Sequence, residues 1–244
     1  MKHKKGAAFI IFILIFGAPC MAASAFWGFG NTASWKEEVL LHDGGKIVVE
    51  RWQKYGGGHE IGQPPPIKEQ TITFTLPGTE QVITWRDEYT EDIGHANFIL
   101  VALHIINNTP YIITKPRLCL SYNKWGRPNP PYVIFKYEGE EWKRIELAEL
   151  PLEFNNVNLV ITTLGDAKKL VSQELVSAEM VKKLNSSLTQ KEYKTIIRTP
   201  FDPKALEKGC PVLVRKKDGW YSPRGPKAPH PIQPKQSENK TGSK

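Results

Sequence analysis

The sequence predicts a mainly β fold, an antiparallel sandwich or open barrel, with a small C-terminal helical segment. Three observations carry this. Apolar residues alternate with polar ones over short runs, turn-forming pairs separate those runs, and after Gly165 the apolar period lengthens to that of a helix. With 244 residues, 40% of them apolar and 24% charged, the chain can bury a sizeable core and is read as one large domain.

Along the chain, VLL leads through His42-Asp43-Gly44-Gly45 into KIVVERW, and the Asp-Gly pair suits a hairpin turn that needs positive φ. A second hairpin is TITFTL, Pro77-Gly78-Thr79-Glu80, QVITW, with Ile72, Phe74 and Leu76 on one face and Thr71, Thr73 and Thr75 on a wet one. Between them, Gly56-Gly57-Gly58 and Pro64-Pro65-Pro66 mark a surface loop. Phe98 to Ile106 is apolar on both faces apart from His104, which predicts a central, doubly covered strand. Asn107-Asn108 turns the chain into YIIT, and YVIFKY, Glu138-Gly139-Glu140-Glu141, WKRIEL forms a further hairpin. Seven to nine strands are expected before Pro151, and one more at VNLVITT. Val176, Met180, Leu184 and Leu188 then recur every four residues, one face of a helix starting near Ser177, and Thr189 and Glu192 have capping-box spacing ahead of a second short helix.

The N-terminus reads MKHKK, GAAFIIFILIFGAP, CMAASA: a basic segment, an apolar segment and small residues, the pattern of a secretory signal cleaved after Ala25. One alternative is an inner-membrane anchor through residues 7–25, although Pro19 closes an apolar stretch shorter than the roughly 20 residues a bilayer requires. Another is lipid attachment at Cys20, although Gly17, Ala18 and Pro19 lack the leucine that normally precedes such a cysteine. Cleavage discards Cys20 and leaves Cys119 and Cys210, which are expected to pair in an oxidising compartment; two buried thiols are the other reading. The expected division is a signal peptide at 1–25, a linker at 26–34, a domain at 35–215 and a disordered basic tail at 216–244. Within the domain the β part runs from Trp35 to Ile161 and the helical extension to about Arg198.

The positive charge sits at the two ends. Residues 203–244 hold ten Lys or Arg against three acids, whereas residues 26–202 hold 20 against 22. A nearly neutral body argues against a nucleic-acid-binding fold, and the basic tail is a candidate for membrane or acidic-partner contact.

The stretches WKEEVLLHDGGKIVVER, HEIGQPPP, LCLSYNKWGRPNPPYVIFKY and VSAEMVKKLNSSLTQKEYK resemble a family of uncharacterised bacterial secreted or envelope proteins. The likeness covers most of residues 35–200. It implies export and a bacterial origin, and it brings no activity, cofactor or catalytic residue.

No Gly-x-Ser-x-Gly elbow, phosphate-cradling glycine loop with lysine, or dinucleotide fingerprint is present, so no cofactor and no metal are expected. Asp43, Glu50, His59, Glu60 and His95 are the weak candidates for acid–base chemistry, because hairpins and loops can bring such groups together. They are more simply turn, loop and surface residues, and His104 is best read as a core histidine. The most site-like stretch is Tyr122-Asn123-Lys124-Trp125-Gly126-Arg127-Pro128-Asn129-Pro130-Pro131-Tyr132. Its aromatics, amide and planar cation on a proline-stiffened loop suit sugar or peptide recognition, with Tyr122, Asn123, Trp125, Arg127 and Tyr132 as binding candidates; packing against the end of the core is the alternative. The expected function is a non-catalytic periplasmic or envelope module that binds a polymer, peptide or protein partner. The alternatives are a hydrolase of envelope or extracellular polymers and a structural envelope protein without a ligand.

Overall fold

The computed structural model describes residues 31–162 and 167–223. The expected signal peptide, most of the linker and the tail from residue 224 lie outside the described residues. The chain is mainly antiparallel β, built from two consecutive four-stranded meanders. The first comprises β1 (Thr32–Leu40), β2 (Lys46–Tyr55), β3 (Ile67–Thr75) and β4 (Val82–Asp87), in that spatial order. The second comprises β5 (Phe98–Ile106), β6 (Thr109–Pro116), β7 (Val133–Glu138) and β8 (Glu141–Ile145), also in chain order. Between β6 and β7 lies α1 (Leu118–Lys124); after β8 come α2 (Ala167–Leu170), α3 (Ala178–Ser186) and α4 (Pro203–Gly209), then a hairpin of β9 (Val214–Lys216) and β10 (Gly219–Tyr221).

The turns form where the sequence places them, for local reasons. Gly44 has φ +87°, and the Asp43 carboxylate accepts a hydrogen bond from the Gly45 amide, which fixes the β1–β2 turn. Asn107 and Asn108 both have positive φ, the backbone of a tight two-residue hairpin whose twist matches its strands. The two sheets close on each other through Val39, Val49, Ile72, Phe74, Ile83 and Trp85 on one side and Phe98, Leu100, Leu103, Ile105, Ile112 and Val133 on the other. This is the sandwich core. Thr73 and Thr84 face outward on the first sheet and share a hydrogen bond, consistent with one wet face.

Strand β5 is buried on both faces, but it lies at the edge of its sheet rather than at the centre. Val101 is an extra residue that shifts its register against β6, so Phe98 and Leu100 face the sandwich core before the bulge and Leu103 and Ile105 after it. Its other face carries Ala102 into a second core with Tyr111, Ile134, Phe154, Tyr193 and Ile196. The free edge of β5 is met by the expected strand VNLVITT, whose described residues 157–162 form no strand; the isolated bridge beside it joins Asn156, just before it, to Thr195. The Asn158 side chain replaces a strand partner: its Oδ1 accepts from the Leu103 amide at 2.9 Å, and its Nδ2 donates to the Leu103 and Leu40 carbonyls at 2.7 and 2.9 Å. Asn158→Ala is expected to cost about 1–3 kcal/mol, because buried backbone groups lose their partner, as urea denaturation would show.

The α3 face differs from the expected one. Met180 and Leu184 are 40% and 39% exposed, and Val181 and Asn185 turn inward. Asn185 is buried because its amide serves the chain opposite, accepting from the Ile161 amide and donating to the Leu159 carbonyl. The chain also stays ordered further than expected: β10 lies inside the stretch 216–244 read as tail, since Trp220 is buried and its indole donates to the Asp92 carbonyl at 2.8 Å. Similarly, β1 begins at Thr32, inside the expected linker.

His104 is fully buried, stacked on Phe154 with ring centroids 4.7 Å apart and hydrogen-bonded to the Asn156 carbonyl. Burial pushes its pKa from an ordinary 6.5 down to about 4, with His42 adding to the effect. Between these values His104 is neutral in the folded protein while the unfolded chain takes up a proton. Stability is therefore full above pH 6.5 and falls as the pH drops towards 4, by roughly 3 kcal/mol for this group. Denaturation midpoints at about pH 7 and about pH 4.5 check this, and His104→Gln should flatten the difference.

Candidate functional site

The five acid–base candidates stay apart. Asp43 caps its own turn, Glu50 lies on the exposed face of β2 opposite Lys36, and His59 sits in the surface loop beside the Gly57 carbonyl. Glu60 accepts a hydrogen bond from Gln63 in that loop. His95 is buried with Nδ1 2.6 Å from the Ala96 carbonyl, and burial pushes its pKa down. No hydrogen bond or ion pair joins any two of these five. Among the described residues, no group of three His, Cys, Asp or Glu side chains is placed to hold a metal ion.

The aromatic segment is organised differently. Its first part is α1 rather than loop, and the disulfide Cys119–Cys210 joins this helix to the end of α4. Asn123 is the hub of that junction. Its Nδ2 donates to the Cys119 and Pro211 carbonyls at 2.9 and 3.0 Å, and its Oδ1 accepts from the Leu213 amide at 2.8 Å. Arg127 also donates to the Pro211 carbonyl, and its guanidinium lies over the Tyr122 ring at 4.9 Å. Trp125 packs on Phe98 at 4.7 Å and donates to Asn97. Tyr132 is buried, its hydroxyl within 3.2 Å of the Glu192 and Thr195 carbonyls, and burial pushes its pKa up to about 12. Asn123 and Arg127 thus hold residues 201–213 against the body as a strap, with Asn129 adding two hydrogen bonds to Phe201 at 2.7 and 2.9 Å.

Beneath this strap lies a cavity of about 360 Å³. Its floor is the outer face of β5 and β6, where Ile99 and Lys115 are register partners. Its walls are Pro116, Leu118 and Tyr122 on one side and Phe201, Leu206 and the Cys119–Cys210 bridge region on the other. Leu118 stands 69% exposed with φ +59° at the head of α1. One ion pair marks the floor: Lys115 Nζ is 2.5 Å from Glu192 Oε1 and 4.7 Å from the centre of the Tyr193 ring. Burial raises the pKa of Tyr122, with Arg127 opposing the shift.

Of the expected binding residues, Tyr122 alone lines this cavity. Lys115, Glu192, Phe201 and Leu206 escaped notice because they come from separate parts of the chain. The one signal available was Lys115 itself, a lone charge ending the apolar run YIIT. No helix among the described residues is long and apolar enough to cross a membrane. Comparison with protein-family models, curated proteins and solved structures finds no match to this chain.

Proposed function

We propose that this protein is an exported, non-catalytic binding module that receives a compact apolar group in the cavity under the disulfide-held strap. The cavity carries the reading: its volume falls at the lower end of small-ligand sites, it is walled mainly by apolar side chains, and its polar groups are few and convergent. The separation of Asp43, Glu50, His59, Glu60 and His95 gives the hydrolase alternative no shared site to act from. Export follows from the signal-like N-terminus together with the Cys119–Cys210 bridge, which suits an oxidising compartment. Cleavage after Ala25 and residence in the periplasm or envelope belong to the same proposal.

The experiment is a binding measurement on the oxidised chain from Phe26 onward, with cyclohexanol as a neutral apolar probe followed by ligand-observed NMR. Saturable binding that is abolished by Leu206→Trp, which fills the cavity, is expected. Absence of binding, or binding indifferent to that substitution, overturns the cavity as the site. Intact mass of the protein from an envelope fraction tests export separately: a chain beginning at Phe26 supports it, and a chain retaining residues 1–25 overturns cleavage.

A further inference from the structure

The charges on the cavity floor select among apolar ligands. Lys115 and Glu192 point one charge of each sign into the same partly buried space, their side chains 21% and 11% exposed. A monoanion entering there approaches Glu192 as closely as Lys115, so attraction and repulsion nearly cancel while its own hydration is lost. A monocation meets the mirror problem. A zwitterion does not: its positive end lies against Glu192 and its negative end against Lys115, and the four charges alternate without breaking the existing pair.

We infer that the ligand is a free apolar α-amino acid, an inference that rests on the cavity being the binding site. The α-ammonium and α-carboxylate leave a single carbon, so their separation suits two charges held in direct contact, as Lys115 and Glu192 are at 2.5 Å. The side chain on that same carbon is then carried towards Ile99, Pro116, Leu118, Phe201 and Leu206. A branched aliphatic or aromatic side chain fits walls of this kind, and a polar one leaves its groups unpaired. Tyr193, under the Lys115 ammonium, holds that charge in place as the ligand carboxylate arrives.

The test titrates the oxidised wild-type protein by calorimetry with four leucine derivatives. L-leucine carries both charges, N-acetyl-L-leucine the negative one, L-leucinamide the positive one and N-acetyl-L-leucinamide none. L-leucine is expected to bind at least about tenfold more tightly than either singly charged form, to compete with cyclohexanol and to lose its binding in Leu206→Trp. Lys115→Met should move the preference towards L-leucinamide, and Glu192→Gln towards N-acetyl-L-leucine. Equal affinity for all four derivatives, or a preference for a singly charged one in the wild type, overturns the zwitterion inference while cyclohexanol binding still supports the cavity. If neither cyclohexanol nor any derivative binds, both readings fall together. The derivative series needs only the wild-type chain, so it decides the matter even where a variant fails to fold.

Discussion

Glu37→Leu is expected to lower the stability of the protein by about 3–5 kcal/mol. Glu37 and Arg51 lie on the inner face of the first sheet with no exposure to solvent. Arg51 Nη1 donates to Glu37 Oε1 at 2.8 Å, and the Trp35 indole donates to the other carboxylate oxygen at 2.8 Å. The guanidinium also lies over the Trp35 ring at 5.1 Å, while its Nε and Nη2 find no hydrogen-bond partner. Among the described residues, Glu37 is thus the only anion bonded to this guanidinium, a cation that has already lost all its water. Remove it and the uncompensated charge must be driven back towards solvent, opening the sheet. The double replacement Glu37→Leu with Arg51→Leu should recover most of the loss, since it removes the buried charge along with its partner. Urea denaturation of the two single variants and the double variant forms the cycle. Additive losses in the double variant would show that the pair is not the unit of stability.

Removing the disulfide by Cys119→Ala with Cys210→Ala should cost about 4–5 kcal/mol, because the bridge closes a loop of 91 residues in the unfolded chain. The folded side of the balance points the same way. Helix α4 buries none of its residues, so few apolar contacts remain to hold the strap once the covalent link is gone. Denaturation of the double variant, beside the wild type with and without reductant, measures the effect. A loss below about 1 kcal/mol would mean that the strap opens independently of the two sheets and that the bridge constrains only that local motion.

What could be read in advance was what is decided locally. The Asp43-Gly44 and Asn107-Asn108 turns formed because their residues accept the backbone angles required, whatever surrounds them. The alternation of Ile72, Phe74 and Leu76 with threonines likewise fixes the faces of β3, since period 2 leaves no other arrangement. The strand pattern of β5 misled about its position because burial on both faces results equally from a central strand and from an edge covered by Asn158 and the segment around it. The period of Val176, Met180, Leu184 and Leu188 gave the helix but missed its buried face, where an asparagine outcompetes two larger apolar side chains through hydrogen bonds to a distant segment. In the aromatic segment, Asn123 and Arg127 spend their polar atoms on the strap, while Trp125 and Tyr132 bond to Asn97 and to the Glu192 and Thr195 carbonyls. The cavity floor was invisible for a related reason: Lys115 and Glu192 meet across 77 residues, and nothing near either residue names the other.

The chain connections also carry a consequence for the order of assembly. Each strand of both meanders pairs with its neighbour in sequence, so the two sheets can begin to form as soon as each hairpin is complete. Later segments then tie back to the early chain: Asn158 reaches Leu40 across 118 residues, Ala178 reaches Glu38 across 140, and Leu213 reaches Asn123 across 90. A chain emerging from its N-terminus can therefore complete both meanders and most of the core between them before these C-terminal ties form.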